Sequence, residues 1–253
     1  MAQIVITTLP NVPLVQHGDD IARLILNGLR EASIDLRDGD VIVLASKIVS
    51  KAEGRVVRLR EVTPRARALE LAQTTGKDAR EIELMLQESA EVVRARQDLI
   101  ITRHRLGFVS ANAGIDHSNV QGGAEDCVLL LPLDPDATAE KIREQVNGET
   151  GKQVAVIIAD SHGRPHRMGT VGIAIGCAGL PALEDWRGRA DLFGLELKHT
   201  DIGLADMLAS AATLLFGQAR EATPIVHVRG ATWRGEPNTA RTLVRPRELD
   251  LFP

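Results

Sequence analysis

The sequence predicts an α+β protein with mixed sheets and helices, and the order of its segments supports this fold class. Runs typical of strands occur at Ile4 to Thr8, Val41 to Ala45 and Val154 to Ala159. Helical stretches and short polar segments lie between them, without repeats or low-complexity segments. No linker divides the chain, so we predict one domain over residues 1–253, or two interlocked subdomains.

Two familiar nucleotide-binding patterns are absent. The stretch GETGKQ, Gly148 to Gln153, lacks the first glycine of a P-loop and has glutamine where a metal-binding Ser or Thr would stand. Gly172, Gly176 and Gly179 do not have the spacing of the dinucleotide fingerprint. We therefore expect neither a P-loop nor a Rossmann domain, and we interpret GETGKQ as a helix end followed by a turn.

The first helix is predicted from its cap and its apolar face. It begins near Asp19 or Asp20, residues of the type that cap helix N-termini. Its apolar face consists of Ile21, Leu24, Ile25 and Leu29.

The remaining elements follow in chain order. They are helices at Pro64 to Gln73 and Asp78 to Glu91, strands at Leu99 to Thr102, Phe108 to Ala111 and Cys127 to Leu131, helices at Pro135 to Val146 and Ile202 to Phe216, and a strand at Pro224 to Val228. Asp134 or Asp136 suits an N-cap, and Gly217 suits a helix end. The residues after Arg229 lack periodicity, so we expect them to lie across the surface or reach a partner subunit.

Composition excludes several classes of protein. A chain of 253 residues with 44% hydrophobic residues can bury a full core. A net charge of −4 and an aromatic content of 2%, without tyrosine, argue against nucleic-acid binding. No apolar run approaches the ~20 residues of a membrane span, and a secretory signal is missing, so we expect no membrane partner and a cytoplasmic location. Cys127 and Cys177 lie in apolar segments, where we expect buried, reduced thiols.

The most informative segment is ADSHGRPHRMGTVGIAIG, Ala159 to Gly176. Asp160 and Ser161 follow an apolar strand, and we expect them to emerge at its carboxyl end, where ligands bind in many proteins with parallel strands. Mg²⁺ or Mn²⁺ bound with a nucleotide takes few protein oxygens, and a carboxylate beside a hydroxyl suits that role. An ordinary cap after the strand is an equally good interpretation of Asp160.

A second acidic segment, VSANAGIDHSNV, places Asp116 and Asn119 among small residues. Taken alone, such a segment is more often a solvated turn that bonds its own backbone. Alternatively, Asp116 and Asp160 share metal ions.

Basic residues near these segments could bind anions. Lys47 and Lys51, with Ser46, come just past the second strand and could reach a phosphate tail, although a lysine in a loop is usually only solvated.

Arg164 and Arg167 could hold a carboxylate or phosphate through forked hydrogen bonds, although solvated or salt-bridged arginines are commoner. His162 and His166 are four apart, but the intervening glycine and proline disfavour a helix, so we reject a zinc site.

Several stretches carry a family resemblance together. They are VPLV at Val12 to Val15, SKIVSK at Ser46 to Lys51, SANAGIDHSNV, LLPLDPDATA at Leu130 to Ala139, ADSHGRPHRMG, AIGCAGL at Ala174 to Leu180, DWRGRADLFG at Asp185 to Gly194 and the helix leading into FGQA. In this order they resemble coenzyme F420-0:L-glutamate ligases through nearly the whole chain. The specificity lies in the ordered set, since no single piece would suffice.

This resemblance implies an activity and partners. It implies a GTP-dependent ligase that adds L-glutamate to the lactyl carboxylate of coenzyme F420-0 through an acyl phosphate, and that extends a γ-linked polyglutamate tail. It further implies the unusual α+β fold of these ligases, a homodimer, and the stand-alone form of the enzyme, since the chain stops at Pro253. The alternatives are a related amide ligase for another acidic acceptor and a nucleotide-binding protein without turnover.

The resemblance also implies a site. The metal ligands would be Asp116, Asp160, Ser161 and Gln218. The GTP contacts would be Val12, Pro13, Leu14, Val15, Ser46, Lys47, Lys51, Asn119 and the backbone from Phe216 to Thr223, which includes Gly217, Gln218 and Ala219. Mg²⁺ or Mn²⁺ would assist, with K⁺ as a further candidate.

Catalytic roles fall on three basic residues. Lys47 and Lys51 would stabilise charge during phosphoryl transfer, and Arg164, with Arg167 or His166, would position an anionic substrate. His162, His166 and Thr170 depart from the residues expected in this family at those positions.

Overall fold

The structure is a computed structural model that describes residues 3–120, 127–217 and 219–250. Its strands, in chain order, are β1 (Val5–Thr8), β2 (Val41–Ala45), β3 (Val56–Arg58), β4 (Ser89–Arg96), β5 (Leu99–His104), β6 (Val109–Ala111), β7 (Cys127–Leu129), β8 (Ala155–Arg164), β9 (Arg167–Ala178), β10 (Glu184–Asp185), β11 (Asp201–Ile202) and β12 (Ile225–Arg229). Its α-helices are α1 (Ile21–Glu31), α2 (Ser46–Ala52), α3 (Ala66–Thr75), α4 (Ala79–Gln87), α5 (Pro135–Thr150) and α6 (Leu204–Phe216). Short 3₁₀ helices occur at Leu59–Glu61, Asn112–Gly114, Ala240–Leu243 and Arg247–Leu249.

A five-stranded mixed sheet forms the centre, in the order β1-β12-β2-β8-β9. β2 and β8 run parallel, and the other neighbours are antiparallel. The side chains of β2 and β8 alternate between two cores, because successive residues of a strand face opposite sides of the sheet. α1 and α5 cover one face and α6 covers the other. The predicted α+β class with mixed sheets is confirmed.

A second group of elements packs beside this sheet. β4, β5 and β6 form an antiparallel sheet that packs with α3 and α4, and β3 pairs with β7. β6 leads through the 3₁₀ helix Asn112–Gly114 to Asp116, whose backbone N–H and C=O bond to Leu129 of β7. This second group therefore positions one of the two acidic segments.

Caps and termini of several helices match the sequence. The Asp20 side chain accepts from the backbone N–H of Arg23 at the start of α1, and Asp134 accepts from that of Ala137 in α5. Gly217 ends α6, and GETGKQ is the end of α5 followed by a left-handed turn at Gly151. Cys127 and Cys177 are buried and free, as predicted. Within the described ranges, no helix is long and apolar enough to cross a membrane.

Three predictions about local structure are wrong. Ser46 to Ala52 is helical rather than a loop, because β2 passes directly into α2 and buries Ile48 and Val49 against the core. The predicted helix through Glu91 ends at Gln87, since β4 begins at Ser89 and pairs with β5. Such long-range pairing overrides local helical preference.

The third error concerns β8. Asp160 and Ser161 lie inside this strand rather than after it, because β9 folds back and pairs with it as far as Arg164. The expected edge is nevertheless present, since the parallel pairing of β2 with β8 ends at Ala45 and Ala159.

Helix bounds also differ by a few residues. α3 begins at Ala66, so Pro64 precedes the helix. α6 begins at Leu204, because Ile202 belongs to β11 and pairs with Glu184 of β10.

Candidate functional site

A cavity of about 1240 Å³ opens where the parallel pair β2 and β8 ends. It is larger than most small-molecule pockets, which measure roughly 300–1,000 Å³. The residues that line it and that the sequence had singled out are Val12, Pro13, Leu14, Val15, Ser46, Lys47, Lys51, Asp116, Asn119, Asp160, Ser161, Phe216, Gly217 and Ala219. The fold thus collects segments from across the chain around one space.

Ser46 and Asp160 meet because β2 and β8 are in parallel register. Ala45 pairs with Ala159, so the next residue of each strand lies beside the other. The Ser46 hydroxyl donates a hydrogen bond to Oδ1 of Asp160 over 2.7 Å. Burial raises the pKa of the Asp160 carboxyl, and the Ser46 hydrogen bond acts in the opposite direction. A carboxylate in this environment is stabilised by a nearby cation.

Asp116 is paired with a lysine. Lys47 Nζ lies 2.7 Å from Asp116 Oδ2 and donates to Ser118 Oγ over 2.6 Å. The Ser118 backbone N–H donates to Asp116 Oδ1 over 2.6 Å, so the segment is also the local turn that its composition suggests. Burial alone would raise the pKa of Asp116, but the hydrogen bonds from Lys47 and Ser118 outweigh it and lower the pKa. Asp116 is therefore anionic at neutral pH.

Lys51 connects α2 to the segment that carries Asn119, which in turn contacts the segment after α6. It lies one helical turn beyond Lys47 on α2, so both ammonium groups project from the same face. Its Nζ donates to the Asn119 carbonyl over 2.7 Å, and Asn119 Nδ2 donates to the Ala219 carbonyl over 3.0 Å. Burial, followed by the charge of Lys47, lowers the pKa of Lys51. The segment after α6 is thereby connected to the segment that carries Asp116.

Two predicted site residues are not placed in this arrangement. Arg164 lies at the tip of the β8–β9 hairpin, outside the cavity lining, with Nη2 donating to the carbonyls of Met168 and Gly169. At the usual rise of a strand it is roughly 13 Å along β8 from Asp160. Gln218 lies outside the described residues.

The donor set fits a divalent ion bound together with a nucleotide. Within residues 3–120, 127–217 and 219–250, no group of three or more His, Cys, Asp or Glu side chains is arranged to hold a metal ion. Two carboxylates do border the same cavity, and Asp116 is close enough to raise the pKa of Asp160. Mg²⁺ usually takes one or two protein carboxylates and completes its shell with water and phosphate.

Comparison with known proteins decides the family. The model of F420-0:gamma-glutamyl ligase matches residues 10–230. The chain belongs to this family. A coenzyme F420:L-glutamate ligase of Methanothermobacter thermautotrophicus is 49% identical over 244 residues, which cover 95% of each chain. Proteins with the same name from Methanocaldococcus jannaschii and Archaeoglobus fulgidus are 46% and 44% identical, and the matches cover 87% and 95% of this chain and 87% and 93% of theirs.

The structure also places in this site residues that the sequence analysis missed. Ser118 contacts both Lys47 and Asp116, although it stands in the segment already singled out. His17, Arg58 and Arg220 line the same cavity. Only Ser118 had a sequence signal, its position between Asp116 and Asn119, since the other three are ordinary polar residues of loops and strands.

Proposed function

We propose that the protein is a GTP-dependent ligase that joins L-glutamate to coenzyme F420-0 through an acyl phosphate and extends the product with γ-linked glutamates. The observation that carries the proposal is the meeting of two carboxylates, Asp116 and Asp160, with two ammonium groups, Lys47 and Lys51, around one cavity. Family membership and the names of the relatives support the joining of glutamate to the coenzyme.

The chemistry accounts for these residue types. An oxygen of the lactyl carboxylate attacks the γ-phosphorus of GTP, and GDP leaves. The amine of glutamate then attacks the acyl carbon, and phosphate leaves as the amide forms. The first step redistributes negative charge over the phosphoryl oxygens, so the protein acts mainly by positioning and by electrostatic stabilisation.

The lysines and the carboxylates divide this task. Lys47 and Lys51 project from one helix face toward the cavity and can contact phosphoryl oxygens. Asp116 and Asp160, with Ser161 and Gln218, would hold Mg²⁺ or Mn²⁺. Such an ion neutralises charge on the triphosphate when bound. Asn119 and the Val12–Val15 segment border the remaining space and would contact the nucleotide.

The acidic substrates require further positive charge. Coenzyme F420-0 and L-glutamate are both anionic, and the exposed hairpin tip carries Arg164, His166 and Arg167. These residues would hold a substrate carboxylate beyond the cavity, where forked arginine hydrogen bonds fix its orientation. We also propose K⁺ as a further activator of the reaction.

Mass spectrometry of the reaction tests the proposal. The protein is incubated with coenzyme F420-0, L-glutamate, Mn²⁺ and either GTP or ATP, with Asp160→Asn as a matched variant. We expect a glutamate-sized mass increase with GTP, further increases on longer incubation, and no increase with Asp160→Asn. ¹⁸O in the lactyl carboxylate should appear in the released phosphate. GTP binding without product would favour another acidic acceptor or a nucleotide-binding protein.

We also propose a homodimer, as the resemblance implies. The segment between β10 and β11 exposes Leu192 and Phe193 at 97% and 95% of their surface, and such apolar tips commonly contact another chain. Sedimentation should give a dimer for the wild type and a monomer for the Leu192→Ser/Phe193→Ser double variant. A monomeric wild type would contradict this proposal.

A further inference from the structure

His162 occupies an unusual place beside the candidate metal site. It lies two residues past Asp160 on β8, so both side chains project from the same side of the strand. Its Nε2 lies 2.8 Å from the carbonyl oxygen of Val109. Because a carbonyl oxygen only accepts hydrogen bonds, Nε2 is the donor, and this bond fixes both the tautomer and the ring orientation.

Aromatic contacts hold the ring on a second side. Phe108 meets His162 edge to face, with ring centroids 5.6 Å apart and an interplanar angle of 89°. Phe108 itself stacks on the buried ring of His104, with centroids 5.3 Å apart and an angle of 5°. Such aromatic pairs contribute orientation as well as burial. The His162 side chain is thus held by packing and by a hydrogen bond.

The bond joins the two segments that carry the carboxylates. Val109 is the first residue of β6, which leads directly into the 3₁₀ helix Asn112–Gly114 and on to Asp116. His162 therefore ties the strand of Asp160 to the segment of Asp116. α2 makes a different connection on the other side, because Ser46 bonds Asp160 and Lys47 pairs with Asp116.

We infer that His162 is a positioning residue, which holds Asp160 and Asp116 at the separation that a divalent ion requires. The inference rests on the proposed function only in taking these two carboxylates as metal ligands. Groups outside the ligand shell that orient ligands commonly change metal affinity about 10–100-fold when removed.

Binding of Mn²⁺ alone, counted by electron paramagnetic resonance of the free ion, tests this role. His162→Gln keeps a side-chain N–H that can reach Val109, whereas His162→Met has a similar size and no donor. We expect His162→Met to weaken Mn²⁺ binding about tenfold and His162→Gln to keep most of the affinity. His199→Met is the matched control, because His199 is an exposed histidine of the β10–β11 connection.

Further readouts separate positioning from general destabilisation. Thermal unfolding should show His162→Gln and His162→Met with similar midpoints, and excess Mn²⁺ should restore the kcat of His162→Met. Equal Mn²⁺ affinities for the wild type and His162→Met would overturn the inference, as would equally weak binding by both variants. A wild type that binds Mn²⁺ but forms no F420 product would contradict the proposed function alone. A wild type that binds no Mn²⁺, either alone or with GTP present, would overturn both.

Discussion

Lys47 Nζ lies 2.7 Å from Oδ2 of Asp116, so a lysine neutralises the carboxylate that we propose as a metal ligand. A divalent ion on Asp116 competes with this ion pair, and a nucleotide phosphate offers Lys47 another anion. We therefore expect Mn²⁺ and GTP to bind cooperatively, because either ligand breaks the Lys47–Asp116 ion pair and leaves the other residue available to the second ligand. Lys47→Met should bind Mn²⁺ alone at least as tightly as the wild type, lose part of the cooperativity, and lose most of its turnover.

The control for this prediction is Lys51→Met. Lys51 bonds the Asn119 carbonyl and is not paired with Asp116, so its loss should weaken GTP binding and strengthen Mn²⁺ binding less than the loss of Lys47 does. Titrations of Mn²⁺ with and without GTP measure both effects. Weaker Mn²⁺ binding by Lys47→Met than by the wild type would show that the lysine does not compete with the ion.

The Ser46–Asp160 hydrogen bond provides a second, graded test of the site. Asp160→Asn removes the charge and should lower turnover at least about 100-fold, because an ion held by few protein oxygens depends on each carboxylate. Ser46→Ala leaves the carboxylate but removes its donor, so we expect a smaller loss that excess Mn²⁺ partly restores. Steady-state rates across a Mn²⁺ series distinguish the two. Similar losses in both variants would mean that Ser46 does more than orient Asp160.

The sequence predicts the individual elements of this site better than it predicts how the fold brings them together. β2 has the predicted bounds because its buried run is continuous, and Asp20 caps α1 as its side chain allows. α2 was missed because a helix of seven residues hardly shows a period. The apposition of Lys47 and Asp116 depends on that helix and on the pairing of Asp116 with Leu129, which are long-range features. The roles assigned to all the site residues, including Arg164 and Gln218, stay predictions.

Close packing between β9 and α6 gives a prediction about α6, whose C-terminal end at Gly217 lines the cavity. A Cβ on Gly172 would overlap Thr213 Oγ1 and the Ala209 carbonyl oxygen of α6. Gly172→Ala should therefore destabilise the protein by about 1–3 kcal/mol, the usual cost of overpacking, and weaken GTP binding by displacing the end of α6. The matched control is Gly163→Ala in the same hairpin, where no atom lies within 4 Å of the new Cβ. Urea unfolding compares the two, and equal stabilities would show that α6 can move without cost.

A buried carboxylate predicts how the stability of the fold decreases at acidic pH. Glu88 pairs with Arg55 and Arg105 beside His104. Burial opposes its ionisation, but the nearby His104, the ion pair with Arg55 and the charge of Arg105 lower its pKa from 4.5 to about 2. Because the folded-state pKa is depressed, this stabilisation is present above pH 4.5 and is lost as the pH falls toward 2. The shift corresponds to about 3 kcal/mol.

Urea unfolding at pH 7, 4 and 3 measures this contribution. We expect the wild type to lose stability over that range, while Glu88→Gln starts lower by a few kcal/mol, since it leaves two arginines without their buried partner, and loses less on acidification. Glu248→Gln, at an exposed position, should follow the wild type at each pH. A Glu88→Gln protein with the same pH dependence as the wild type would place the acid-sensitive group elsewhere. Asp40 would then be the next candidate, because its buried carboxylate contacts Arg229, and hydrogen bonds from Arg229 together with the adjacent His227 lower its pKa despite burial.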